Sequence, residues 1–130
     1  MFEPGGRSTR GSRWTAAALA AALSIVPATA AAAPRVVKAK TVEDGWVWGP
    51  KTLHVSAPKR VKWKNPTTEP HSIRFYKGPM KGVRFLLPEK EARVKKIKKT
   101  GTHKYRCDIP GHSKMVEGKC TGMCGKVVAR

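Results

Sequence analysis

A cysteine, two histidines and a methionine carry the donor atoms that could do chemistry in this chain. Cys107, His112 and Met115 lie in one short segment, YRCDIPGHSKM, and His71 lies upstream, after the stretch Trp63–Pro66. A thiolate suits Cu(I), an imidazole suits Cu(II), and a distant thioether adjusts the balance between the two oxidation states. We therefore expect His71, Cys107, His112 and Met115 to hold one copper ion at a mononuclear site.

The three cysteines of the chain support this interpretation, because one of them is left over when the other two pair. Cys120 and Cys124 are close neighbours, whereas Cys107 stands apart in a strand-like segment. A disulfide between Cys120 and Cys124 is possible in an oxidising compartment. The thiol of Cys107 then remains free for a metal.

The first residues have the pattern of a secretory signal. Three arginines precede an apolar run at 14–26, and a stretch of small residues follows at 28–33. The run is shorter than the roughly 20 apolar residues that a transmembrane helix needs. We predict a signal peptide over 1–33 and one domain over 34–130, exported to the periplasm, the cell surface or the medium and without stable membrane insertion.

The chain is strongly basic, with a net charge of +19. Without the predicted signal peptide it keeps 24 Lys and Arg against 7 Asp and Glu, a net charge of +17. A field of this sign favours an acidic partner, although a surface kept soluble by charge explains the same balance. The basic residues are spread along the chain without a helix-turn-helix or zinc-finger spacing, so we do not expect a nucleic-acid partner.

Alternating apolar and polar residues predict strands. The alternation is clear at 61–64, 73–75 and 104–107, and Gly and Pro turn signals separate these stretches. Many short strands of this kind are typical of a β-sandwich or barrel. The same alternation predicts that His71 points inward and that His54 points outward.

Two stretches resemble ligand-bearing segments of the cupredoxins, the small blue-copper proteins of the plastocyanin/azurin group. Gly101–Cys107 resembles the Gly-Thr-x-x-Tyr-x-Cys strand of that family, and Cys107–Ser113 is similar to the azurin ligand loop. The stretch Trp63–Pro66, followed by His71–Ile73, resembles the first ligand segment of the family. The resemblance runs from about 36 to 128.

This resemblance implies an all-β fold, a Greek-key β-sandwich of about eight strands. It implies that His71, Cys107 and His112 are the equatorial copper ligands, with the metal near one end of the sandwich under a partly exposed His112. It also implies a strand from about Ala92. The local signals in 88–101, among them Pro88 at a first helical position, instead predict a helix.

The fourth ligand departs from the family pattern. Met115 lies one residue closer to His112 than the matching methionine of azurins, and Met123 is the alternative. We prefer Met115 because a weak axial bond tolerates some displacement. A Cys-x3-Cys motif also occurs in the dinuclear copper domain of cytochrome oxidase, but no histidine follows Cys124 here.

Other residues near these motifs have simpler interpretations. Asn65 is either a turn residue or a group that ties the His71 strand to the ligand loop by hydrogen bonds. We expect the tryptophans at 46, 48 and 63 to lie in the core. His54 and His103 are expected at the surface and receive no role.

These observations predict a carrier of single electrons and not an enzyme, because the sequence contains no paired carboxylates and no nucleophile–base arrangement. We expect a monomer that docks on the acidic surface of a protein redox partner. The alternatives are an extracytoplasmic copper-delivery protein, an adhesive β-domain with structural cysteines, and a zinc site, which would leave the methionine unexplained.

Overall fold

The computed structural model describes residues 33–130, together with residues 5, 11 and 22. The predicted signal peptide at 1–33 thus falls almost wholly outside the described residues, and its prediction stands as made. In the described part of the chain, no helix has the length and apolar character needed to cross a bilayer.

Strands and the turns between them make up residues 35–130. The strands are β1 (Arg35–Val42), β2 (Gly45–Gly49), β3 (Thr52–Val55), β4 (Lys59–Lys64), β5 (His71–Lys77), β6 (Arg84–Leu87), β7 (Ala92–Ile97), β8 (Gly101–Arg106), β9 (Ser113–Val116), β10 (Lys119–Gly122) and β11 (Cys124–Ala129).

The strands form two main sheets and a hairpin. One sheet has the order β2-β1-β4-β7, and the other has the order β3-β11-β8-β5-β6. Most pairs are antiparallel, but β1 runs parallel to β4 and β11 runs parallel to β3. The hairpin of β9 and β10 follows the segment that carries His112. The all-β sandwich is thus confirmed, and part of the excess over the eight expected strands comes from this hairpin.

The core lies between the two sheets and is rich in aromatic rings. Trp63 of β4 is fully buried and meets the rings of Phe75, Phe85 and Tyr105 edge-on, at centroid distances of 6.0, 5.6 and 5.5 Å. Edge-to-face contacts at such distances stabilise aromatic pairs beyond their burial. The expected core position is confirmed for Trp48 and Trp63, each at most 1% exposed.

The segment 88–101 contains the strand β7, over Ala92–Ile97, where the local signals favoured a helix. Its residues pair antiparallel with β4, with Arg93 opposite Trp63. Glu91 forms an ion pair with Arg93 at 3.2 Å, two residues away, and the chain turns at Lys90, whose φ is 59°. Pairing along β4 therefore overrides the helix propensity of this segment, as tertiary context commonly does.

The burial of the histidines agrees with the alternation of the strands. His71 is fully buried and His54 is exposed, as predicted. The expectation of a surface position is wrong for His103, which is fully buried. It shares the inward face of β8 with Tyr105, and its Nε2 bonds the carbonyl oxygen of Lys99 at 2.9 Å.

Two adjacent leucines of β6 provide a test of this packing. Leu87 is fully buried and Leu86 is 55% exposed. We expect Leu87→Ala to lower the free energy of unfolding by about 2–5 kcal/mol, because it leaves a cavity in the core. Leu86→Ala should change it by no more than about 0.5 kcal/mol. Urea unfolding of both variants measures the difference, and equal losses would contradict the assigned faces of β6.

Candidate metal centre

Three side chains converge at one end of the sandwich. His71 is the first residue of β5, Cys107 follows the last residue of β8, and His112 lies just before β9. One donor atom from each lies within 4.8 Å of the other two. The Nδ1 atoms of the histidines are 3.1 Å apart, and the Sγ of Cys107 is 3.4 Å from the Nδ1 of His112.

Strand pairing and one turn bring these donors together. β5 and β8 are antiparallel, with Arg74 opposite Arg106, so the start of β5 lies beside the end of β8. After Cys107 the chain turns, and the amide of His112 donates to the carbonyl oxygen of Ile109 at 3.0 Å. Donors that are far apart in sequence thus meet because of the β5–β8 register and a short loop.

Hydrogen bonds fix the orientation of the His71 ring. The hydroxyl of Thr67 lies 2.6 Å from the Oδ1 of Asn65, an atom that can only accept. The carbonyl oxygen of Glu69, 3.1 Å from the same hydroxyl, can also only accept. The single hydroxyl proton of Thr67 therefore goes to one of these two oxygens, and its oxygen is left to accept from the Nε2–H of His71 at 2.9 Å. The proton of the ring is then on Nε2, and the Nδ1 of His71 offers a lone pair to the centre.

Asn65 acts on the site through this chain of contacts. Its Nδ2 donates to the carbonyl oxygens of Glu69, Leu87 and Pro88 at 2.7, 3.1 and 3.2 Å. It thereby ties the β4–β5 connection to the end of β6. The side-chain bonds found for Asn65 lead to His71 through Thr67, and none of them runs to the 107–112 loop, which was one of the two roles that the sequence left open for Asn65.

Both imidazoles are held in the neutral form. Burial and, to a smaller extent, the nearby charge of His112 lower the pKa of His71 to about 4. Burial also lowers the pKa of His112, against a smaller opposing effect of Glu69. Neutral imidazole is the form of histidine that binds a metal.

The sulfur of Cys107 is fully buried and takes no part in a disulfide. The backbone amide of Ser72 donates to this sulfur at 3.3 Å. The Ser72 hydroxyl lies closer to the carboxylate of Asp108 than to the sulfur of Cys107, and it accepts from the Asp108 amide at 3.0 Å. This hydroxyl therefore binds Asp108 and not the sulfur. The first residues of β5 therefore hold both the sulfur and the residue that follows it.

Asp108 holds the 107–112 loop by an ion pair with Arg84, which the sequence gave no means of predicting. Its carboxylate accepts two bonds from the Arg84 guanidinium, at 2.8 and 3.0 Å, and Arg74 lies 3.6 Å away. The hydrogen bond from Arg84 is the largest of the effects that lower the pKa of Asp108 to about 2. The carboxylate is therefore ionised at neutral pH and fixes the start of the loop to β5 and β6.

The two candidate methionines occupy different environments. Met123 is fully buried, its amide donates to the carbonyl oxygen of His112 at 2.9 Å, and its own carbonyl accepts from the amide of Cys107 at 3.0 Å. Met115 is partly buried in β9 and pairs with Cys120 of β10. The predicted disulfide joins Cys120 to Cys124 and closes a ring that contains Met123.

Trp46 lies beside the site and only partly in the core. Its ring stacks on the ring of His112 at a centroid distance of 4.2 Å, and it meets the ring of His71 edge-on at 5.8 Å. Trp46 thereby covers one face of the His112 ring, although His112 as a whole is partly exposed. The sequence pattern of β2 correctly predicted that Trp48 is buried, but it gave no indication that Trp46 stacks on His112.

The arrangement suits one copper ion. Nitrogen and sulfur donors 3.1 and 3.4 Å apart are spaced as ligands of a single first-row ion, with bonds of about 2.0 Å to nitrogen and about 2.3 Å to sulfur. A thiolate with two imidazoles is the strong-ligand set of blue-copper sites. Among the described residues, this is the one group of three or more His, Cys, Asp or Glu side chains close enough to share an ion.

Solved structures of amicyanin resemble this chain. Amicyanin from Paracoccus versutus (Thiobacillus versutus) has a TM-score of 0.58 and 21% identity, over 79% of this chain and 87% of that one. A Cu(I)-form variant of amicyanin has a TM-score of 0.55 and 23% identity, over 79% and 88%. The chain therefore has the fold of amicyanin, which is the expected cupredoxin fold. No protein-family profile and no curated protein sequence matches it.

The lowered pKa of His71 predicts how the stability of the copper-free protein depends on pH. Its ordinary value is 6.5 and its folded value is about 4, so between these values the unfolded chain binds more protons. The free energy of unfolding should therefore fall as the pH decreases from about 6.5 to about 4, and this loss should level off below pH 4.

Urea unfolding across this range measures the effect. The His71→Gln variant should show a smaller slope with pH, whereas the variant of the exposed residue, His54→Gln, should keep the slope of the parent protein. An unchanged slope in His71→Gln would contradict a neutral buried imidazole at position 71.

Proposed function

We propose that this chain, a β-sandwich with the fold of amicyanin, is an exported mononuclear copper protein that carries single electrons between protein partners. One observation carries the proposal: a buried free thiol faces the Nδ1 atoms of two histidines, while the other two cysteines are joined in a disulfide. Bound copper would supply a one-electron couple between Cu(II) and Cu(I).

The protein residues would keep this couple in one geometry. His71 is fixed through Thr67 and Asn65, and the sulfur of Cys107 is fixed by the amide of Ser72. His112 is fixed by the hydrogen bond from its backbone amide to the carbonyl oxygen of Ile109 and by the ring of Trp46. Donors held from several sides cannot rearrange easily, so both oxidation states would meet nearly the same ligand positions. This property favours rapid electron exchange.

The distribution of burial supports a carrier and not an oxidising enzyme. His71 and Cys107 are fully buried, and His112 is the one partly exposed residue of the three. A substrate would find two of the three strong ligands closed off by the fold. We infer that electrons enter and leave at the exposed edge of His112.

We propose Met123 as the weak axial ligand, in place of the Met115 favoured by the sequence interpretation. Two observations support this choice: Met123 is fully buried, and its amide and carbonyl groups bond the backbone of His112 and Cys107. Met115 instead lies in a hairpin strand opposite Cys120, a residue of the disulfide.

The export and the partner belong to the same proposal. The basic–apolar–small pattern of 1–33 and the disulfide between Cys120 and Cys124 both favour an extracytoplasmic location. A net charge of +17 after removal of 1–33 favours an acidic protein as the redox partner. We infer that the chain acts as a monomer and docks on this partner through a small interface, as is common in transient redox complexes.

The thiolate of Cys107 should control the colour of the copper-loaded protein. Cu(II) added in stoichiometric amount should give an intense visible band that disappears on reduction and returns on oxidation. Cys107→Ser should abolish this band, because the coordinating sulfur is lost. Visible absorption spectra of both proteins check this. A parent protein that binds copper but remains colourless through a redox cycle would instead fit copper delivery.

The two methionines give a matched pair of variants. We expect Met123→Leu to keep the visible band but shift its position and raise the reduction potential, because the weak sulfur ligand tunes the copper couple. Met115→Leu should leave the band and the potential unchanged. Visible spectroscopy and voltammetry of both variants test the assignment, and the reverse pattern would establish Met115 as the axial ligand.

A further inference from the structure

A lysine-rich cavity opens on the surface of the sheet formed by β3, β11, β8, β5 and β6. Its volume is about 410 Å³, and one part of its wall is the disulfide between Cys120 and Cys124. The hydroxyl-bearing residues Thr52 and Tyr76 contribute to the lining. Four lysines also line this cavity: Lys51, Lys104, Lys119 and Lys126.

Two of these lysines face each other across neighbouring strands. Lys104 of β8 and Lys126 of β11 are directly opposite in the antiparallel pair. Like charges in this position destabilise a sheet. Lys51 approaches the same place, because its carbonyl oxygen accepts from the amide of Lys126 at 2.8 Å. The fold thus tolerates a concentration of positive charge that an anion would relieve.

None of the described residues that line the cavity is Asp or Glu, so no acidic side chain of the lining offsets the four lysines. The depression beside His112 differs, because both Asp44 and Lys114 line it. Positive charge is therefore less compensated in the lining of the lysine-rich cavity than in that of the depression beside His112.

We propose that the lysine-rich cavity is a docking site for a carboxylate-rich surface of a partner protein. Charge complementarity is the argument for an acidic occupant. The described cations of the cavity are all lysines, whose ammonium groups are point charges on flexible stems and impose no fixed geometry on the carboxylates that they meet. Flexible lysine side chains around an open cavity suit a weak, salt-sensitive contact with several carboxylates.

The lysine-rich cavity is joined through the backbone to segments that carry proposed metal ligands. Cys124 in the cavity wall follows Met123, and Lys104 lies three residues before Cys107 on β8. A partner held at the cavity would therefore lie next to the segments that carry two of the proposed ligands. The proposal rests on the proposed function only in taking this partner to be a redox protein.

An oligoglutamate peptide added to the copper-free protein tests the docking site independently of copper. Amide chemical shifts in NMR should change mainly at residues 51–52, 104 and 124–126, and the affinity should decrease as salt is added. The double variant Lys104→Gln/Lys126→Gln should weaken binding about tenfold. It should unfold at the same urea concentration as the parent protein or a higher one, because the like-charge pair is gone.

Lys38→Gln/Lys64→Gln is the matched control. Lys38 and Lys64 are exposed partners across the parallel strands β1 and β4 of the other sheet, so the variant loses the same charge and also a pair of lysines on neighbouring strands. Its affinity for oligoglutamate should stay within about twofold of the parent value. Equal weakening in both double variants would overturn the proposal in favour of a general effect of net charge.

Polyphosphate of equal charge serves as the second probe. Weaker binding of polyphosphate than of oligoglutamate at the lysine-rich cavity would support a carboxylate-rich partner. Tighter binding there would overturn the proposal in favour of a phosphate-rich polymer. Because these measurements need no copper, they can fail while the copper site stands, and they can succeed if the copper site does not.

Discussion

The antiparallel pairing of β5 with β8 is the constraint on which the candidate metal centre depends. With Arg74 opposite Arg106, the start of β5 lies where β8 ends, so the Ser72 amide reaches the sulfur of Cys107. His71, the residue before Ser72, has its Nδ1 at the same end of the sheet, 3.1 Å from the Nδ1 of His112. A slip of one residue would move these side chains to the opposite face of the sheet. The bonds around Asn65 and Asp108 refine an arrangement that the register has already set.

The fold class and the grouping of His71 with Cys107 and His112 could be predicted from the sequence, because strand alternation, the Cys107–His112 spacing and the resemblance to cupredoxin segments all indicate them. Alternation gave the inward position of His71 and the outward position of His54. The short loop between Cys107 and His112 keeps two donors close whatever the rest of the chain does. An odd number of cysteines, with Cys120 and Cys124 close together, pointed to the disulfide that the structure contains.

The remaining features depend on contacts between distant parts of the chain. The strand at Ala92–Ile97 exists because it pairs with β4, although its own residues favour a helix. The ion pair of Asp108 with Arg84 and the stacking of Trp46 on His112 need the tertiary fold before they can be seen. The burial of His103 was within reach, since it shares the alternation of Tyr105 and Cys107. An isolated histidine is more often a surface residue, but in β8 the alternation determines its position.

X-ray absorption at the copper K-edge is the decisive measurement for the metal centre, because it detects the atoms bound to the metal. For protein loaded with one copper ion, we expect one short copper–sulfur distance and two imidazole nitrogens at about 2.0 Å. The copper–sulfur distance should be absent in Cys107→Ser. A first shell of nitrogen and oxygen atoms alone, with no sulfur in the parent protein, would contradict a site built on Cys107, His71 and His112.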